Sequence, residues 1–196
     1  LGREFFRWEI ATAVAGVLLG VNPFDEPNVS QAKAATNAAL ATFKESGQLP
    51  EWPVDTVEEV ARVLAEARPG DYVALLAYPT PDPLVTAALQ KLRTVVRNRT
   101  RLATTVGYGP RYLHSTGQLH KGGPPTPILI VLLGEDREDV AIPGEQYGFA
   151  ILKTAQALGD LATLRAAQRR ALWLPLKGPA PAALERLTGA LERLLG

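Results

Sequence analysis

The sequence predicts an α/β protein in which a mostly parallel sheet lies between two layers of helices, a three-layer α/β/α sandwich. Three observations carry that expectation. Short apolar runs bounded by turn residues, such as "DYVALLAY" and "PILIVLL", read as strands covered on both faces. Between them lie stretches of ten or more residues with apolar positions at helical spacing, the alternation expected of a parallel sheet with crossover helices. The 196 residues, 46% of them hydrophobic, are enough for one well-buried core.

Taken in order, Phe6, Ile10, Ala13, Val14, Val17, Leu18 and Val21 recur at helical spacing and predict a buried first helix. The two prolines of "NPFDEP" stop it by removing donors and constraining their neighbours. A second helix is expected from about Asn28 to Glu45, followed by a patternless linker, "PEWPVD". Asp55 or Thr56 then offers a cap for a third helix reaching Ala67. Strands are expected at Asp71–Tyr78, Arg101–Val106, Pro127–Leu133 and Arg170–Leu176, with a helix over Pro83–Arg97 after the first. Two helices, Glu145–Leu158 and Asp160–Arg169, are expected between the last two strands, broken at the Gly-Asp pair. A leucine-rich helix, Pro181–Leu195, closes the chain. Residues 1–50 read as a helical segment leading into an α/β unit over 51–196, the two forming one compact body.

Composition removes several function classes. Lysine and arginine (21) nearly balance aspartate and glutamate (20), so no global field favours nucleic acid. Without cysteine there is no disulfide framework, thiolate zinc site or thiol nucleophile, and two histidines are too few for a histidine-rich metal centre. A reducing, cytoplasmic setting fits this usage. The longest apolar run, Ile10–Val21, falls well short of the roughly 20 residues that span a bilayer. The chain begins at Leu1 and contains no methionine, which suggests a piece of a larger polypeptide. "GYGPR" lacks the spacing and trailing lysine of a phosphate-binding P-loop.

Two stretches concentrate reactive side chains. The first, "GYGPRYLHSTGQLHKGGP", follows the second strand, where open sheets collect ligands, and holds both histidines of the chain. His114, Ser115, Thr116 and Gln118 supply a titratable ring, two hydroxyls and an amide near a short helix. Such a set can grip a polyhydroxylated ligand and move a proton near neutral pH, and it can equally serve only to cap a helix end. His120 and Lys121 read as the approach to a turn. The second stretch, "NPFDEPNVSQAK", aligns Glu26, Ser30, Lys33 and Asn37 on one helical stripe. That stripe suits a ligand hydroxyl or phosphate, and it suits a solvated face with a weak ion pair just as well.

At these motifs the sequence resembles the glucose-6-phosphate isomerase family, most closely the C-terminal part of bacterial proteins in which a transaldolase is fused to that isomerase. "EFFRWEIATAVAGVLLGVNPFDEPNVSQAK" is similar to the family signature that ends in an essential lysine. "GYGPRYLHSTGQLHKGGP" resembles the segment with its active-site histidine, and "IPGEQYGFAILKTAQALGDL" the segment that follows in the fused proteins. The resemblance implies a sugar-isomerase sandwich that interconverts glucose 6-phosphate and fructose 6-phosphate with neither metal nor organic cofactor. It implies Lys33 and His114 as catalytic groups for ring opening, with Glu26, Ser115, Thr116 and Gln118 as substrate contacts. It also implies a homodimer, no nucleic-acid or membrane partner, and upstream isomerase and transaldolase parts.

The chain departs from the family in three ways. Glu26 stands where the family carries glutamine, replacing a hydrogen-bond donor with an anionic acceptor. The lysine motif precedes the histidine motif, as in the fused type. The family's Gly-Gly-Arg signature and the segment with its catalytic glutamate are missing from this sequence, as is a first sugar-isomerase domain with its phosphate cradle. A fragment of this kind is expected not to turn over substrate. The contrasting expectation is a non-catalytic, sugar-phosphate-binding module of the same fold.

Overall fold

The computed structural model describes residues 1–25, 27–136 and 138–196, so Glu26, and with it one of the expected substrate contacts, lies outside the described residues. Four strands, β1 (Tyr72–Ala77), β2 (Ala103–Tyr108), β3 (Pro127–Leu133) and β4 (Arg170–Pro175), form one all-parallel sheet in the order β2-β1-β3-β4. Helices α1 (Gly2–Leu19), α2 (Pro27–Ser46), α3 (Val57–Ala65), α4 (Pro83–Thr100), α5 (Gly117–Gly122), α6 (Phe149–Ala166) and α7 (Ala180–Leu194) complete the described elements, with a 3-10 turn at Arg111–His114. The predicted α/β fold is present.

Alternation along the strands assigns the layers. Val73, Leu75 and Ala77 of β1, with Ile128, Ile130 and Leu132 of β3, face α3, α4 and α7. Ala74, Leu76, Leu129, Val131 and Trp173 face the other way, onto Leu158, Leu161 and Leu164 of α6. Helix α2 lies outside α6 and packs on it through Ala39, Leu40 and Ala155. Local chemistry sets the boundaries: Thr56 and Glu59 exchange hydrogen bonds in a capping box at the start of α3, and Asp82 accepts from Val85 N–H at the start of α4.

Several expectations need correction. α1 forms, but only its Gly16 is buried; Trp8, Val17, Leu18 and Leu19 are 69%, 82%, 82% and 75% exposed. Apolar spacing specifies a helix with apolar faces and cannot specify what covers them. β2 runs on to Tyr108, so Gly107 belongs to the strand rather than to the loop after it. The Gly-Asp pair does not break a helix, because Gly159 and Asp160 lie inside a continuous α6. The linker "PEWPVD" is tied to the sheet edge: Asp55 donates its N–H to the Trp173 carbonyl at 3.0 Å and accepts from Trp173 N–H at 2.6 Å. After β3, Asp136 accepts from Lys153 at 2.6 Å and Asp139 from Ala150 N–H at 2.8 Å, which ties this acidic run to α6.

Gly159 explains how α2 comes so near to α6. A Cβ there would stand 2.6 Å from Thr36 Oγ1 and 2.7 Å from Thr36 N, and the backbone of α2 cannot yield as a flexible side chain would. Gly159→Ala is expected to destabilise the protein by about 1–2 kcal/mol, the overpacking cost exceeding the roughly 1 kcal/mol that alanine gains in helix propensity. An unchanged or higher Tm would show that α2 can shift freely.

At the opposite end of the sheet, Arg170 joins the starts of three strands, bonding Asp71 at 2.7 Å and the Thr126 carbonyl at 2.7 Å. The Arg170 hydrogen bond, aided by Arg68 N–H, holds the Asp71 carboxyl below its ordinary range. Because the folded value is depressed, the resulting stability is present above about pH 4 and is lost as pH falls through the folded value. Melting curves from pH 6 to pH 3 should be flatter for Asp71→Asn than for the parent chain; parallel curves would contradict this.

Candidate functional site

Between α2, the turn and short helix that follow β2, and α6 lies a cleft of about 320 Å³, within the usual range for small-ligand sites. The helical stripe expected on α2 delivers Lys33 and Asn37 to one wall. The opposite wall carries His114 from the 3-10 turn with Gln118 and Lys121 from α5, while α6 contributes Gln156. Val29, Leu40, Leu113 and Leu152 supply apolar surface between the polar groups. Lys33 and His114, distant in sequence, therefore line the same cavity. Both are exposed and stand at its rim, whereas the Lys121 side chain is 4% exposed and lies deep.

Ser115 and Thr116 do not join that lining. Ser115 Oγ donates to the Tyr112 carbonyl at 3.1 Å, a local bond that ends the 3-10 turn. Thr116 precedes α5, and both residues are exposed. A run of hydroxyls beside a histidine suggests one site, but the tight turn sends successive side chains in different directions.

The deepest polar groups were not expected from the sequence. Lys121 Nζ approaches Asp160 Oδ1 to 2.5 Å, with the carboxylate 1% exposed. Tyr112 donates its hydroxyl proton to the other oxygen of Asp160 in a very short bond. Since that proton is committed, Tyr78 is the donor in the 3.2 Å contact between the two phenols. Burial raises both phenols well above their ordinary range, which keeps them as neutral donors. The chain Tyr78 to Tyr112 to Asp160 to Lys121 thus runs from the sheet core to the cleft floor. Gly109 makes room for it, because a side chain there would collide with the Tyr78 ring.

His120, expected only as part of the approach to a turn, has a structural partner. Tyr72 Oη lies 2.9 Å from its Nδ1, and burial pushes the imidazole down, opposed by Asp160. The Tyr72 hydroxyl and Nδ1 share one hydrogen bond, whose direction follows the imidazole tautomer. Arg169 clamps the end of α5, donating to the Lys121 carbonyl at 2.6 Å and the Gly123 carbonyl at 2.7 Å. The helical spacing from Gly117 through Lys121 could have placed Lys121 on the same face as Gln118, but nothing nearby in sequence announces Asp160.

A second depression sits at the carboxyl ends of β1 and β3, where the strand order reverses and ligands commonly bind. Among the described residues its charged lining is acidic, Asp82, Glu135, Asp136 and Glu138, with Asp136 paired to Lys153. Among the described residues no cluster of His, Cys, Asp or Glu suits a metal ion, and no helix is long and apolar enough to cross a membrane.

Removing one member of the buried pair should cost far more than removing both. Asp160→Ala, which strands the ammonium, is expected to lose about 3–5 kcal/mol in denaturant unfolding, whereas the double variant Lys121→Met/Asp160→Leu should recover most of that loss. Equal losses for the two would mean that the pair is not coupled.

The chain matches no protein-family model and no curated protein. Among solved structures it is similar to the hypothetical protein TT0462 from Thermus thermophilus, with a TM-score of 0.53 and 24% sequence identity. The similarity covers 86% of this chain and 43% of that one, so this chain spans less than half the length of the protein it matches. At this identity the likeness shows the fold, an all-parallel α/β sheet flanked by helices, and nothing further.

Proposed function

We propose that this chain is the C-terminal portion of an aldose–ketose isomerase interconverting glucose 6-phosphate and fructose 6-phosphate. The observation that carries the reading is the presence of Lys33 and His114 on one cleft, together with the resemblance of the two motifs that hold them. An ammonium at the rim attracts the anionic ligand, and the imidazole serves ring opening by passing a proton between the C1 oxygen and the ring oxygen. The apolar wall suits the C–H face of a sugar, and the amides of Asn37, Gln118 and Gln156 suit its hydroxyls. Migration of hydrogen between C2 and C1 through an enediol needs a carboxylate base, and no carboxylate is among the described residues that line the cleft.

A described lining without a carboxylate favours one alternative, a sugar-phosphate-binding module without catalysis. The two readings part on a longer protein that includes the segment upstream of Leu1: turnover there supports the isomerase, and tight binding without turnover supports the module.

Calorimetry with glucose 6-phosphate tests the site directly. The isolated chain should bind the ligand without isomerising it, and Lys33→Ala should weaken binding roughly tenfold or more, the scale of a lost charged hydrogen bond. In the longer, active protein, His114→Asn should lower kcat by about 10² to 10⁴. Unchanged binding by the Lys33 variant, or no binding by the parent chain, would reject the reading; brisk isomerisation by the isolated chain would reject its incompleteness.

A further inference from the structure

Acid–base chemistry at Lys33 and His114 leaves two features at the inner end of the cleft unused. Gln118 Oε1 is buried and has no hydrogen-bond partner among the described residues, although Gln118 lines the cavity. A buried acceptor without a donor is costly in a native fold and calls for an explanation. Lys121 stands three residues further along α5, on the same helical face. Its ammonium carries three N–H bonds, and Asp160 is the only side-chain carboxylate that the described residues bring to it.

We propose that Gln118 and Lys121 form an inner subsite that binds an uncharged hydroxyl group of a polyol. A hydroxyl matches both protein groups at once: its proton goes to Gln118 Oε1, and its oxygen accepts from Lys121 Nζ. An anion matches neither as well. It has no proton to offer the amide oxygen, and the charge of Lys121 is already balanced by Asp160 at 2.5 Å. A second cation, Lys33, stands exposed at the rim. Among the described residues the cleft is charge-balanced inside and carries the Lys33 ammonium at its rim, and a phosphorylated polyol enters with its hydroxyl end first and its phosphate beside Lys33. The identity of the outer group rests on the sugar-phosphate reading above, whereas the hydroxyl subsite is tested without it.

Gln118→Leu removes the acceptor and keeps comparable bulk. Because it deletes an unpartnered polar group, its Tm should equal or exceed that of the parent chain, while affinity falls about tenfold for the neutral hexitol sorbitol and for glucose 6-phosphate alike. Affinity for inorganic phosphate should not change. In the parent chain, titration with sorbitol should shift the side-chain amide resonances of Gln118. Binding of glucose 6-phosphate with equal affinity by parent and variant overturns the subsite and leaves the isomerase reading standing. Sorbitol binding that depends on Gln118, without any binding of glucose 6-phosphate, overturns the isomerase reading and leaves the subsite. A variant of lower Tm and undiminished affinity overturns the subsite in favour of a structural role, and absence of binding for both probes overturns both.

Discussion

Lys121 and Asp160 form a buried ion pair that couples the sheet core to the floor of the cleft. The carboxylate stands on α6, the ammonium on α5, and Tyr112 completes the contact from the turn after β2. Two charges taken out of water gain little net stability, but either one left alone would be severely destabilising. The pair therefore acts mainly on geometry: it favours the register of α5 on α6 that brings these groups together. Everything on the cleft wall formed by α5 inherits its position from that constraint.

Close packing on the other side does the complementary work. Gly159 lets the backbone of α2 approach α6, so that the stripe of Lys33 and Asn37 faces α5 across a narrow gap. Gly159 and Asp160 are neighbours, and each fixes one wall. The first brings α2 close by lacking a side chain, and the second brings α5 close by carrying a charged one. Between them the walls hold a cleft that, among the described residues, carries Lys33 at its rim and offers amides, an already neutralised ammonium and apolar surface inside.

The molecule also shows where its own packing ends. β4 is sealed by the segment around Asp55, with Arg165 bonding the same carboxylate at 2.9 Å, whereas β2 occupies the other edge of the sheet. α1 presents large apolar side chains to solvent. An apolar helix lacking a covering layer gains little from tertiary burial, which is the usual source of helix stability in proteins.

The sequence by itself determined the strands, most helix boundaries and the polar stripe on α2, because each follows from local rules of spacing, capping and turn chemistry. Lys33 and His114 are marked by the resemblance of the motifs that hold them, not by spacing alone. Only the tertiary structure decided that these two line one cleft, that Ser115 and Thr116 turn away, and that Gly159 and Asp160 continue α6 instead of ending it. The physical reason is that a glycine followed by an aspartate looks like a helix break until a neighbouring helix needs the space and a buried lysine needs the charge. Burial has the same character: spacing can mark α1 as apolar, but what lies against it is decided by elements far away in the chain.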